Sequence, residues 1–527
     1  MANDTATLTD TKVGAGTRDL ACEGDLFSCE DLRSELRTRT IRGGAIVFGA
    51  MFVNKAVSLA ILAVLARLLT PRDYGLFGMI MGLTAFLVIF SDMGLTLATV
   101  QKPSLTRGQL SNMFWLNLAL GLVLGAITAA VAVPVGLFYR ESSLAPVVAL
   151  FGLNFPLVAL GAQHGALLQR RMLFGRLAIA ETIGLLVGGI AGIAAALKGF
   201  GVYALVWQQL AMSIARTVSH WALSGWLPGL PRAGAGIRGM LKFGGYLTAF
   251  NVVNYFCRNL DKVLLGRFVG AVSVGLYTRA YALILYPVSL VSGPMSRVCT
   301  PALSRLQEDP ERMKRACLDI LQLIAFISFP LMGILIVAGD DVVGLIYGAK
   351  WKEAVPLFRI LCIAGIWQAI YNATGQVFIS SGRTDRQFRA GLAMSCVLAV
   401  AFVVGLRGGA RGVALSYTIV FSLGVFPYLA YTYATIGLNL SEVLQTLWPT
   451  FIAAALTTAS LFAIRPHILP HALSAARVGS LAALDCGLYL LLTCTINRST
   501  TGLLRRYIPW RKGTLDRCGK SVGRGLF

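Results

Sequence analysis

The chain has 527 residues, of which 56% are hydrophobic and only 13% are charged, a composition far from that of soluble globular proteins. Its formal net charge is +23, but the basic residues are scattered over short segments between apolar runs. This scatter excludes nucleic acid as the expected partner and favours the anionic headgroups of membrane lipids.

Fourteen apolar runs approach the length of about 20 residues that a helix needs to cross the hydrocarbon core. We therefore expect an all-α polytopic membrane protein with about 14 transmembrane helices. The predicted spans are 43–65, 75–98, 112–138, 145–168, 177–197, 200–223, 243–266, 273–297, 318–339, 356–380, 390–406, 412–434, 446–464 and 478–496.

The segments outside the spans are short. Residues 1–42 form a polar tail that we expect to be disordered, and residues 497–527 form a basic tail. The longest gaps are 224–242, a linker rich in Gly and Pro, and 298–317, which is predicted to form a short amphipathic helix at the inner surface. No gap has room for a catalytic domain, so we do not expect an enzyme.

The basic residues predict the orientation. Counting Arg297 with the gap that it borders, the two tails and the gaps after even-numbered spans hold 30 of the 47 Lys and Arg residues. The gaps after odd-numbered spans hold 12, and five lie within spans. Because Lys and Arg are retained on the cytoplasmic side, both termini and the gaps 224–242 and 298–317 are predicted to be cytoplasmic.

An internal repeat divides the spans. A shift of 200 residues aligns identical residues in spans 1 and 7 and in the turns that follow them. The aligned pairs are Gly44 with Gly244, Val53 with Val253, Asn54 with Asn254, Leu65 with Leu265, Arg67 with Arg267, Gly75 with Gly275 and Leu76 with Leu276. The shift equals six spans, so both copies insert in the same direction and enclose a cavity between two lobes. The lobes are 43–223 and 243–434, and residues 446–496 add two further spans.

Charged and amide side chains within spans mark the candidate site, because an unpaired charge at the bilayer centre costs at least about 2.5–3.5 kcal/mol and normally faces a wet interior. We predict that they line a cationic cavity for an anionic substrate. The candidates are Asn54 and Lys55 in span 1, Asn251, Asn254, Arg258, Asp261 and Lys262 in span 7, and Arg279 in span 8. Asn251, Asn254, Arg258 and Lys262 form one stripe along a helix.

Each candidate also has a structural interpretation. Asp261 is close enough in sequence to neutralise Arg258, and Lys262 and Arg279 are near enough to the outer surface to snorkel. Asp92 is a candidate for coupling transport to a cation, but a helix-capping contact explains it equally well. The ten cysteines form no C-x-x-C pair, so neither a metal site nor a cofactor is expected.

Several segments resemble those of a known family. They are Ala66–Phe77, with the sequence ARLLTPRDYGLF, and the motifs SDMGL at 91–95, NMFWLN at 112–117, LQRRMLF at 168–174, NLDKVLLG at 259–266 and GLY at 275–277. Their order and spacing over about residues 40–465 resemble the Wzx-type polysaccharide or O-antigen flippases. This family is the polysaccharide transporter branch of the multidrug/oligosaccharidyl-lipid/polysaccharide exporter superfamily.

The resemblance implies a V-shaped, two-lobe fold and alternating access. It also implies the substrate, an undecaprenyl-pyrophosphate-linked oligosaccharide repeat unit that crosses the bacterial inner membrane for exopolysaccharide or lipopolysaccharide biosynthesis. Partners would be this lipid-linked oligosaccharide, the membrane lipids, and a polysaccharide polymerase with its co-polymerase. The alternatives are a drug/cation antiporter or a lipid II flippase of the same superfamily, and a membrane polysaccharide polymerase.

Overall fold

The computed structural model describes residues 32–92, 94–102, 105–231, 259–307, 309–467 and 474–496, all helical or in short connections. Within them, eleven segments are long and apolar enough to cross a membrane, and one of these, Thr384–Ile436, contains two helices. Most of predicted span 7 lies outside the described residues. The all-α polytopic membrane fold is confirmed, while the number fourteen stays a prediction.

Within the described residues, the first lobe contains nine helices. They are α1 (Leu32–Leu68), α2 (Pro71–Asp92), α3 (Leu95–Gln101), α4 (Arg107–Ala130), α5 (Ala132–Tyr139), α6 (Leu144–Phe151), α7 (Asn154–Arg170), α8 (Phe174–Leu197) and α9 (Val202–Ser224). Helix α8 packs between α1 and α9, and α7 packs against α4 and α9. Helix α1 begins at Leu32, so residues 32–42, which were predicted to be disordered, are helical.

The second part of the chain contains α10 (259–268), α11 (Ala271–Arg305), α12 (Pro310–Val337), α13 (Gly339–Tyr347), α14 (Ala354–Ser380), α15 (Thr384–Gly405), α16 (Gly409–Tyr433), α17 (Leu440–Ile464) and α18 (Ser474–Ile496). Helix α14 packs against α11, α12 and α16. The prediction of a separate amphipathic helix at 298–317 is wrong, because α11 runs on to Arg305 and α12 starts at Pro310.

Three predicted spans are each divided into two helices at positions that local chemistry explains. Gly94 takes a left-handed conformation with φ 70° between α2 and α3. Pro134 has no N–H to donate to the carbonyl of Ala130, where α4 ends. At the α6–α7 junction, Gly152 lies so close to Gly125 of α4 that a Cβ on either glycine would come within 2.9 Å of the other's carbonyl oxygen.

Connections after odd-numbered predicted spans gather at one end of the helix bundle. Arg72 forms an ion pair with Glu141 at 3.0 Å, Gly201 lies beside Asp73, and Lys350 donates to the carbonyl of Leu68. At the opposite end, Trp115 donates to the carbonyl of Gly229 at 2.8 Å. Helix α9 therefore runs from one end to the other, as predicted for span 6, although it is not among the eleven segments that are long and apolar enough to cross a membrane by composition alone.

The two lobes meet through the repeat itself. Helix α2 packs against α11, its equivalent under the shift of 200 residues. A Cβ on Gly75 would lie 1.7 Å from the carbonyl oxygen of Ala271, and a Cβ on Gly275 would lie 1.9 Å from that of Pro71. Both contacts are related by the same shift, so the interface has the local two-fold symmetry of parallel repeats.

An ionic cluster attaches the last two helices to the second lobe. Asp341, buried at the start of α13, forms ion pairs with Arg465 at the end of α17 and with Arg477 of α18, each with a nitrogen–oxygen distance of 3.2 Å. Its neighbour Asp340 pairs with Arg359 at 2.7 Å and with Arg465 at 2.8 Å. Burial alone would raise the pKa of the Asp340 carboxyl, but the hydrogen bonds and charges of these arginines outweigh burial and lower it.

The outer faces of the bundle are apolar and exposed, with Leu137, Ile190, Val404 and Leu423 each more than 60% exposed. A soluble protein rarely exposes so much contiguous apolar surface. These side chains face the lipid tails when the helices cross a bilayer. The polar groups lie instead in the interior of the bundle and at its two ends.

Gly75→Ala should destabilise the closed arrangement of the lobes, because the new methyl group meets backbone that can move only with its helix. Overpacking of this kind costs about 1–3 kcal/mol. We expect a lower thermal unfolding midpoint for the purified variant than for Gly82→Ala, whose methyl group would make an ordinary contact of 3.7 Å with Lys262. Both changes add the same helix propensity, so equal midpoints would contradict the steric argument.

Candidate functional site

The end at which odd-numbered gaps gather is closed by contacts between the lobes, and we call it the closed end: residues 65–75 of the first lobe against 271–279 and 345–351 of the second. Trp351 is fully buried there and donates to the carbonyl of Ala66 at 2.8 Å. Lys350 donates to the carbonyls of Arg67 and Leu68. These carbonyls end α1 and have no partner within their own helix, so the second lobe caps the first.

Arg279 lies just inside the closed end, one turn along α11 from Gly275. Its guanidinium stacks over the ring of Tyr74 from the other lobe, with 4.6 Å between the guanidinium carbon and the ring centroid. Tyr286 and Tyr347 are also within its electrostatic reach. Among the described residues it forms no ion pair, and its Nε is buried without a hydrogen-bond partner. This burial argues against snorkelling as the explanation of its charge.

Tyr347 holds the backbone of this position. Its hydroxyl donates to the carbonyl oxygen of Arg279 at 3.1 Å. Burial raises the pKa of the Tyr347 phenol, while the charge of Arg279 opposes the shift. The hydroxyl therefore remains protonated at neutral pH and can act as this donor.

Lys55 lies deeper, on the face of α1 that approaches the second lobe. Its ammonium nitrogen is 5.3 Å from the ring centroid of Tyr286, on α11. It has no carboxylate partner within the described part of the chain. The adjacent Asn54 points to the first lobe, where its side-chain oxygen accepts a hydrogen bond from Thr182 at 2.8 Å. The structure therefore brings both Lys55 and Arg279 near Tyr286 and separates Asn54 from them.

Asp261 and Lys262 have different surroundings although they are adjacent. Asp261 is buried in the second lobe, where it interacts with the Tyr277 hydroxyl and the charge of Lys262. Lys262 packs beside Gly82 of α2 and donates to Asn259 at 3.0 Å. Three predicted members of the site, Asn251, Asn254 and Arg258, lie outside the described residues.

Asp92 has the contacts of a helix cap. Its carboxylate accepts from the backbone N–H of Thr96 at 3.0 Å, from the Thr96 hydroxyl and from Asn117 at 3.5 Å. Thr96 is in the first turn of α3, whose N–H groups have no partner within the helix. The capping role that sequence allowed is thus present in the structure.

Sequence reasoning identified the cations but not the tyrosines that contact them. Tyr286 follows Arg279 by seven residues, a spacing that places both on one face of a helix, so this contact had a readable signal. Tyr74 and Tyr347 reach Arg279 from elements distant in sequence, and no local spacing reveals them. Among the described residues, no group of three His, Cys, Asp or Glu side chains is arranged to hold a metal ion.

The arrangement suits reversible contact with an anion. Lys55 and Arg279 lie on the boundary between lobes, and their nearest described partners are aromatic rings rather than carboxylates. A cation–π contact is weaker than the charge-assisted hydrogen bonds that a phosphate group offers. Both charges are therefore available to a ligand that enters between the lobes.

Comparisons with known proteins agree with this architecture. The chain is 26% identical over 420 residues to the lipopolysaccharide biosynthesis protein WzxC of Escherichia coli K12, covering 79% of this chain and 85% of the relative. It is 28% identical over 381 residues to the teichuronic acid biosynthesis protein TuaB of Bacillus subtilis 168, covering 71% and 78%.

The solved structure of the lipid II flippase MurJ, in an inward closed conformation, has the same fold. It matches with a TM-score of 0.72 at 15% identity, covering 87% of this chain and 100% of that chain. The family model described as polysaccharide biosynthesis protein matches residues 64–356, more than half of the chain. The chain therefore belongs to the polysaccharide biosynthesis protein family, in agreement with the resemblance to Wzx-type flippases.

Proposed function

We propose that the protein is a flippase that moves undecaprenyl-pyrophosphate-linked oligosaccharide repeat units across the bacterial inner membrane for exopolysaccharide or lipopolysaccharide biosynthesis. The observation that carries the proposal is that Lys55 and Arg279, on the boundary between two lobes, form no ion pair with any described residue. A pyrophosphate supplies the charge that such a pair lacks. The names of the relatives, which are lipopolysaccharide and teichuronic acid biosynthesis proteins, support a polysaccharide precursor as the cargo.

Transport requires no covalent chemistry in this proposal. Rocking of one lobe against the other around a fixed site exposes that site alternately to the two sides of the membrane. The protein shelters the charged, sugar-bearing headgroup from hydrocarbon while the closed end opens. Asn251, Asn254, Arg258 and Lys262 are proposed to line the remainder of the path, whereas Asn54 and Asp261 interact within their own lobes. Asp92 remains a candidate for ion coupling.

The charges of the site argue against a drug/cation antiporter. Such a transporter needs acidic side chains that face its cavity, whereas Asp261 is buried within the second lobe and interacts with Lys262. A lipid II flippase has the same fold, and fold alone does not specify the cargo. The two flippase functions differ in what is lost when the gene is removed.

We also propose that the closed end faces the periplasm, with both termini in the cytoplasm. The support is the excess of Lys and Arg in the tails and in the gaps at the opposite end. A polysaccharide polymerase and its co-polymerase would then receive the cargo at the periplasmic side.

Reporter fusions test the orientation. Fusions at both termini, in 224–242 and in 298–317 should report cytoplasm, while fusions near Arg140 and Lys350 should report periplasm. Each group of fusions is the control for the other, because all of them carry the same reporter and promoter. A periplasmic C-terminus would overturn the orientation.

Lys55→Gln should reduce export of the surface polysaccharide roughly tenfold or more, since a charge-assisted hydrogen bond to the cargo is lost. Lys55→Arg should retain most export because it keeps the charge. The control is Lys198→Gln, an identical change at an exposed lysine in a connection outside the site. Protein levels in the membrane fraction must be equal, and normal export by Lys55→Gln would remove this residue from the site.

Deletion of the gene tests the function. The deletion strain should lose one surface polysaccharide, and single, unpolymerised repeat units should remain attached to lipid on the cytoplasmic leaflet. Intact spheroplasts probed with a sugar-specific lectin should not be labelled, whereas lysed spheroplasts should be. Labelled units on intact spheroplasts would indicate a polymerase defect, and loss of cell-wall synthesis with normal polysaccharide would indicate lipid II as the cargo.

A further inference from the structure

We propose that Arg279 and Tyr74 form a latch that the anionic group of the cargo releases. In the closed state the guanidinium binds the tyrosine ring across the boundary between lobes, and in the loaded state it binds the anion. The inference rests on the proposed function for the identity of the anion, but the latch itself is argued from the geometry of the closed end.

The position of the contact makes it suitable as a latch. Tyr74 is on α2 of the first lobe and Arg279 is on α11 of the second, directly beside the crossing of Gly75 and Gly275. Tyr74 is 3% exposed and Arg279 is half-buried, so the face of the ring is shielded from water. Separation of the lobes at this end must break it.

The chemistry of the contact allows exchange. Arg279 forms no ion pair among the described residues, and the buried Nε still lacks an acceptor. A phosphate group offers acceptors to the guanidinium in the bidentate geometry that arginine prefers. An anion bound to Arg279 therefore gives the guanidinium acceptors that the closed state does not supply. The anion then binds the open state more tightly than the closed state, and this difference in affinity shifts the population towards the open state.

Tyr74 contributes its ring rather than its hydroxyl. The buried hydroxyl oxygen has no hydrogen-bond partner within the described part of the chain. Replacement by Phe therefore removes no hydrogen bond and keeps the face that the guanidinium covers. Replacement by Leu removes the face but keeps an apolar side chain. This pair of variants separates the cation–π contact from packing.

The readout is the accessibility of position 278, which is independent of export. Thr278 is 9% exposed and its side chain lies beside Gly78 of the other lobe. In a full-length chain with its native cysteines replaced, Thr278→Cys should react slowly with a membrane-impermeant maleimide while the lobes are closed. The reaction rate in lipid nanodiscs then reports the open fraction at this end.

Tyr74→Leu and Arg279→Gln should each raise the labelling rate, by roughly threefold to thirtyfold if a desolvated cation–π contact is lost. Tyr74→Phe should label like the parent chain. Arg279→Lys, which keeps the charge but lacks the planar group, should lie between them. Equal rates for Tyr74→Leu and Tyr74→Phe would overturn the latch, and Arg279→Gln supplies the same test if the Leu variant does not fold.

Farnesyl pyrophosphate, a short polyprenyl pyrophosphate, tests the release by an anion, with farnesol as the neutral control. Farnesyl pyrophosphate should raise the labelling rate of the parent chain, farnesol should not, and neither should change the rate of Arg279→Gln. An unchanged rate in the parent chain, or an equal response of Arg279→Gln, would overturn release by the anion. If the latch variants behave as expected but the deletion strain still exports its polysaccharide, the function fails and the latch stands.

Discussion

The contact on which the rest of the structure depends is the crossing of α2 and α11 at Gly75 and Gly275. With hydrogen atoms in place of side chains, the two helices approach until backbone carbonyls touch the opposing glycines. This approach brings Trp351 and Lys350 within reach of the end of α1, and brings Tyr74 over Arg279. Bulkier residues at the crossing would separate the lobes, so the cap and the aromatic contact both require the glycines.

The partners of the half-buried cations Lys55 and Arg279 explain how a charged site can persist in a membrane protein without being permanently neutralised. A carboxylate beside Arg279 or Lys55 would pay the cost of desolvation but would also compete with an incoming anion. Tyrosine rings lower that cost through their electron-rich faces and remain weaker partners than phosphate. The acidic residues of the described structure are instead used elsewhere, as in the cluster of Asp340 and Asp341 that attaches α17 and α18.

Sequence patterns predicted much of the fold because the membrane imposes length and polarity on each helix. The repeat aligned Gly75 with Gly275, but the contact of each glycine with the opposing backbone was not predicted. The breaks at Gly94 and Gly152 were not predicted, since hydropathy does not register a local change of backbone direction. At the site, the cations were visible as charges in apolar runs, whereas Tyr74 and Tyr347 became partners only through the packing of distant helices. The roles of Asn251, Asn254 and Arg258 remain predictions.

The repeat has a further consequence, because the two halves share a backbone arrangement but not their chemistry. Under the shift of 200 residues, Arg279 corresponds to Met79 and Tyr74 corresponds to Val274. In a symmetric dimer of identical subunits, each arginine and each tyrosine would occur twice, once on each side of the axis. Fusion of the copies into one chain allows a single cation where symmetry would impose two. The site is therefore asymmetric about the axis that relates the two repeats. Such a site suits a cargo that is itself asymmetric, with a charged diphosphate, a sugar chain and a lipid.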